Sequence, residues 1–126
     1  MSEHGTFHWN ELMTGDTAAA KAFFESTVGW TFDSFDMPMG GTYLVAMQDG
    51  KPVGGLMDSS DTPAKGSPPH WVCYLSVDDV DARIAGVAAA GGTVLQPPFD
   101  VPQVGRIAMV ADPTGAVMGW ITPAPM

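Results

Sequence analysis

The sequence predicts an α+β protein made of two tandem βαβββ modules, whose curved mixed sheets surround a central cavity with the helices outside. Three observations predict it. One order of strand-like and helix-like segments occurs twice, the helix caps and turn glycines keep register between the copies, and a polar, proline-rich stretch divides them. At 126 residues the chain has the size of one domain, with one core, so the repeat lies within a single domain over 1–126.

The first strand is read from Phe7 to Met13, where alternating apolar residues end at Thr14-Gly15-Asp16. Asp16 is a good N-cap, and an Ala-rich helix follows to about Thr27, where Gly29 stops it. Trp30–Phe35 and Thr42–Gln48 read as strands, and Asp49-Gly50 as a hairpin turn into a fourth, Pro52–Met57. That gives a first module over about 5–57. Residues 58–69 have linker composition. A second module over about 70–123 then repeats the order: a strand His70–Val77, a cap at Asp79, a helix Val80–Ala90 closed by Gly91-Gly92, and strands Val94–Gln96, Arg106–Ala111 and Ala116–Thr122. An offset of 63 places Leu75 on Leu12 and Asp79 on Asp16, and one of 64 to 65 places Gly105 on Gly41, Gly119 on Gly54 and Ile121 on Leu56.

Composition narrows the function. The chain is 45% hydrophobic and 15% charged, which is a globular profile, and its net charge of −9 repels nucleic acid and anionic lipid. The single Cys73, in an apolar strand, allows neither a disulfide framework nor a thiolate zinc cluster within one chain and reads as a buried thiol. The opening Met-Ser-Glu-His-Gly carries no basic, apolar leader and no run reaches membrane-spanning length, so a cytoplasmic protein is expected.

The helix with Ala22-Phe23-Phe24 and Val28-Gly29-Trp30, the Val77-Asp78-Asp79-Val80-Asp81-Ala82 junction, and Asp112-Pro113-Thr114-Gly115 before the last strand carry a resemblance. The chain resembles the vicinal oxygen chelate superfamily, which includes glyoxalase I, bleomycin-resistance proteins and extradiol dioxygenases. The resemblance implies paired βαβββ modules and a homodimer. Metal-dependent members place His or Glu on the first and last strand of each module, and those places fall here on Trp9, Gly54 or Gly55, Val72 and Gly119. Indole, valine and glycine offer no donor for a divalent ion, so no metal and no other cofactor is expected. The glycines read as room.

Strand alternation selects the candidate site. Glu11 shares parity with Trp9 in an apolar strand and is the candidate ligand or catalytic carboxylate, one that needs a partner if buried. Arg106, opening the seventh strand, is the expected partner or an anchor for an anionic ligand. Trp9, Tyr43, Tyr74 and Phe99 are candidates to stack on a flat ligand, with core packing as the rival role. Trp30, Trp71 and Trp120 read as core or interface. His8 is expected to face away from Trp9, whereas His70 has the parity of Val72, so the one metal alternative joins Glu11 to His70. His4 is expected in a frayed terminus. The resulting expectation is a metal-free binding or sequestering protein of the glyoxalase and bleomycin-resistance type for a small, partly aromatic compound. The rivals are a metal-dependent glyoxalase-like lyase, isomerase or dioxygenase, and a subunit of a larger assembly.

Overall fold

Both predicted helix starts are capped by the aspartate expected there. Asp16 Oδ1 accepts the Ala19 N–H at 3.0 Å, and Asp79 Oδ1 accepts the Ala82 N–H at 3.3 Å. In the computed structural model, which describes residues 3–37, 41–61, 66–102 and 104–124, the first cap opens helix α1 (Thr17–Thr27) and the second opens α2 (Val80–Ile84). Thr17, Ala20, Lys21 and Phe24 of α1 are its half-buried residues, spaced as one helical face. Its end is set by Gly29, at φ +79°, whose N–H donates to the Phe24 carbonyl at 3.1 Å.

α2 stops six residues short of the expected Ala90. From Ala85 the chain continues in tighter turns, with Gly86 N–H bonded to the Arg83 carbonyl and Val87 N–H to that of Ile84. Gly86 and the β-branched Val80, Ile84 and Val87 give this segment a weaker helical preference than the alanine run of α1.

The strands are β1 (Phe7–Thr14), β2 (Thr31–Asp36), β3 (Thr42–Gln48), β4 (Lys51–Asp58), β5 (His70–Ser76), β6 (Thr93–Val101), β7 (Gly105–Ala111) and β8 (Val117–Pro123). Asp49 and Gly50 both have positive φ, which joins β3 to β4 in a tight hairpin. β6 runs well past the predicted Gln96, through Pro97-Pro98, with two register shifts against β7. Of the expected linker, Ser59–Asp61 forms a short 3-10 turn after β4, and residues 62–65 lie outside the described residues.

The chain divides into two compact units, Asn10–Val72 and Cys73 onward, the latter including the residues up to Trp9. The early residues belong there because Gly5 N–H donates to the Ser76 carbonyl at 2.7 Å and Ser76 N–H to that of Thr6 at 2.8 Å. His4 is not frayed: its Nδ1 accepts the Asp78 N–H at 3.0 Å.

In the first unit β2–β3 and β3–β4 are antiparallel and β4–β1 is parallel. α1 packs on β4, and Phe24 meets the rings of Trp30 and Trp71. The second unit repeats the plan: β6–β7 and β7–β8 are antiparallel, and β8–β5 is parallel. Val77, Val80 and Ala108 form its buried centre, with Leu75, Ile84 and Trp120 packed on it. The protein is thus α+β, with mixed strand pairing and, among the described residues, one α-helix in each unit.

Candidate functional site

The parallel pair β1–β4 sets Glu11 beside Gly55, and β3 sets Val45 on the other side of Gly55. Tyr43, two residues from Val45 on the same face, leans across: a Cβ at Gly55 would collide with its phenol oxygen and ring. The space a side chain at 55 would take is therefore filled by Tyr43. Glu11 is 7% exposed and shares that face, as do Met13 and Met57, paired one step further along. The first unit thus brings a buried carboxylate and a phenol together among thioethers.

The second unit contains the corresponding arrangement without the carboxylate. Tyr74 pairs with Gly119 across β5–β8, and a Cβ at Gly119 would collide with the Tyr74 ring and meet Met109 Sδ at 3.3 Å. Phe99 pairs with Ile107, Ile107 with Ile121, and Ile121 with Ser76, so Phe99 lies on the Tyr74 face, half-buried. These registers also correct the repeat. Tyr74 corresponds to Glu11 (74 − 11 = 63) and Gly119 to Gly55 (119 − 55 = 64), so Gly119 matches Gly55 rather than Gly54, and Trp120, not Ile121, matches Leu56.

Arg106 takes the opposite face. It pairs with Thr122, and its guanidinium donates to Asp81 through Nε at 2.7 Å and Nη2 at 3.1 Å, and to Asp100 through Nη1 at 3.1 Å. It is therefore turned toward α2, away from the Tyr74 face, and the expected role as partner of Glu11 gives way to this carboxylate clamp. Hydrogen bonds from Arg106 hold the Asp81 carboxyl below the usual range, and Asp81 and Asp100 in turn raise the guanidinium. Arg83 does the same for Asp78, donating through Nε and Nη2 at 2.9 Å each. An open hollow of about 310 Å³ borders Arg106, lined also by Asp100, Gly105 and Thr122.

His70 does not join Glu11. It is exposed at the start of β5, its Nδ1 bonded to the Pro68 carbonyl at 2.8 Å, whereas Glu11 is buried. His8 and Trp9 are half-buried and each has an interaction partner. Cys73 is half-buried rather than buried. Among the described residues no three His, Cys, Asp or Glu side chains gather as a metal-binding group. At the four places to which the resemblance assigns metal ligands, Trp9, Gly55, Val72 and Gly119, stand an indole, a valine and two glycines, each glycine covered by a tyrosine ring. That donor set does not fit a divalent ion, which takes imidazole or carboxylate.

The tyrosine seats were missed from sequence, although a signal for them was present: a glycine inside a strand marks close approach by another group.

A sequence model of the Glyoxalase/Bleomycin resistance protein/Dioxygenase superfamily matches residues 6–118. The chain belongs to this superfamily. It is 44% identical over 125 residues to the protein named "Putative glyoxylase CFP32" of Mycobacterium tuberculosis, covering 99% of this chain and 47% of that protein. It is 36% identical over 119 residues to the "Anthracycline biosynthesis protein DnrV" of Streptomyces peucetius, covering 86% and 43%. The chain thus spans about half the length of these relatives. Among solved structures, a variant of Streptomyces coelicolor methylmalonyl-CoA epimerase in complex with 2-nitronate-propionyl-CoA shares the fold, with a TM-score of 0.69 at 18% identity over 98% of this chain and 100% of that one.

Proposed function

We propose that the chain is a metal-free small-molecule-binding protein of the glyoxalase and bleomycin-resistance type, acting by sequestering a partly aromatic compound. The observation that carries this reading is the filling of the Gly55 and Gly119 positions by Tyr43 and Tyr74. Where metal-dependent relatives need donors, this chain has aromatic surface. Glu11 and Tyr43 supply a polar anchor beside that surface, and Met13 and Met57 an adaptable lining; binding requires shape and a few placed polar groups. A homodimer, which the superfamily resemblance implies, is the working form this reading expects.

A glyoxalase-like lyase, isomerase or dioxygenase is the second reading. The name of the Mycobacterium relative favours it, as does a buried carboxylate next to a phenol, a pairing able to move a proton.

Elemental analysis of purified protein after dialysis against zinc, nickel, manganese and iron, combined with a thermal-shift screen of aromatic compounds, tests the first reading. The expected result is metal far below one per chain, with compounds that raise the melting temperature equally well in chelator. One tightly held metal per chain, required for ligand binding, would replace the first reading with the second.

A further inference from the structure

We infer that Phe35 of β2 is a further ligand-contacting residue, and that it fits the first unit's face to flat ligands of two or more fused rings. The inference deepens the binding reading above, whose ligand is a partly aromatic compound, and rests on it.

The register places Phe35 on that face. Phe35 pairs with Tyr43 across β2–β3, and Asp33 pairs with Val45, the residue beside Gly55. Directly opposed residues of an antiparallel pair point to the same side of the sheet, with Cβ atoms about 5 Å apart. Phe32 has the opposite parity and turns to the other side. There its ring lies 6.3 Å from that of Trp30, and Trp30 lies 5.0 Å from Phe24 of α1. Phe35 therefore stands next to Tyr43 on the side away from the helix, and it is 54% exposed.

Phe35 is not a single exposed apolar residue. Tyr43, Val45, Met47 and Met57 are half-buried on the same face, so a contiguous aromatic and thioether surface runs from β4 to β2. Strands lie about 4.8 Å apart, which makes this surface about 10 Å wide from β4 to β2, more than one benzene ring covers. Its chemistry suits a planar π system. Rings stack on or meet edge-on with Phe35 and Tyr43, and thioether sulfur sits favourably at ring edges. Stacking uses ring area, and Tyr43 keeps exposed surface beside the interaction it already makes. A second protein chain is a poorer occupant. Among the described residues β2 is an edge strand paired with β3 alone, and it carries exposed Asp33 and Asp36, charges that oppose strand addition at such an edge.

The test uses three neutral probes that differ in ring count: benzyl alcohol, naphthalene-2-methanol and anthracene-2-methanol. They are titrated into the intact chain by NMR and, for the larger two, by fluorescence. Anthracene-2-methanol is expected to shift the amides of Phe35 and Tyr43, and Phe35→Ala to weaken its binding about fivefold. The same variant should leave benzyl alcohol unchanged, or, where that probe binds too weakly to measure, should weaken naphthalene-2-methanol less than the anthracene. Phe23→Ala, which removes a similarly exposed ring from α1, should alter none of the three. Circular dichroism checks folding, and Phe35→Leu, which keeps apolar bulk without a ring, takes the place of Phe35→Ala if the alanine variant does not fold. Unchanged affinity for the anthracene in the Phe35 variant, or equal weakening of every probe that binds, would overturn the role of Phe35 and leave the binding reading standing. Failure of all three to bind saturably would overturn both.

Discussion

In the first unit the residue beside Gly55 is Glu11; in the second the residue beside Gly119 is Tyr74. Both glycines lie under a tyrosine ring, yet the rings arrive from different strands, Tyr43 from β3 and Tyr74 from β5. A duplicated scaffold has therefore kept the need for a ring at one place while meeting it in two ways, and it has kept a carboxylate in one copy alone. The units also differ in where their charges lie. The second unit ties its arginines into exposed clamps with Asp78, Asp81 and Asp100, while the first buries Glu11 against aromatic and thioether surface. The buried carboxylate is thus in the first unit, and the arginine–aspartate pairs of the second unit lie exposed.

The sharpest break in this comparison is to give each glycine a side chain. Gly55→Ala and Gly119→Ala should each destabilise the protein by about 1–3 kcal/mol through overpacking, measured by denaturant unfolding. Each cost should shrink when the covering ring is removed in the double variant with Tyr43→Ala or Tyr74→Ala. Purely additive costs would show that the rings do not occupy these seats.

The two helices differ next. Removing the first cap with Asp16→Ala should cost about 1 kcal/mol. Gly86→Ala should raise stability by about 0.4–1 kcal/mol, since Gly86 has no positive φ and a Cβ there meets nothing nearer than the Arg83 carbonyl at 3.7 Å. A loss of stability would mean that the early end of α2 is set by packing and not by composition.

The smallest effect concerns pH. Asp78 and Asp81 are held below their ordinary value by hydrogen bonds from Arg83 and Arg106, so their contribution is present above an unfolded value of about 3.9 and is lost as the pH falls through the lower folded values. Both are exposed, so the dependence should be shallow and weaken in salt. Asp81→Asn should flatten the melting-temperature profile below about pH 4.

Much of the fold was legible because its punctuation is chemically specific. Asp16 and Asp79 announce helix starts, and Asp49-Gly50 announces a turn that few other pairs make. The register of the repeat slipped by one because adjacent Gly54 and Gly55 are indistinguishable in sequence, and a bulge at Ala46/Met47 disturbs the count along β3. Strand β6 was cut short at Pro97-Pro98, residues that interrupt a central strand but are tolerated where the ladder shifts register. Strand alternation gave Glu11 the parity of Trp9, whereas its neighbour Gly55 came only with the register of β1 on β4. The direction of Arg106 was not legible, because its partners Asp81 and Asp100 come from a helix start and a neighbouring strand whose register only the fold supplies.

The most direct measurement is an NMR titration with manganese, which broadens the signals of any amide close to the bound ion. With a tyrosine ring over each glycine, and no three described His, Cys, Asp or Glu side chains gathered as a metal-binding group, the Gly55 and Gly119 resonances should stay sharp while exposed Asp58 and Asp112 broaden first. Selective loss of the Gly55 and Gly119 signals at one equivalent of manganese would contradict the account.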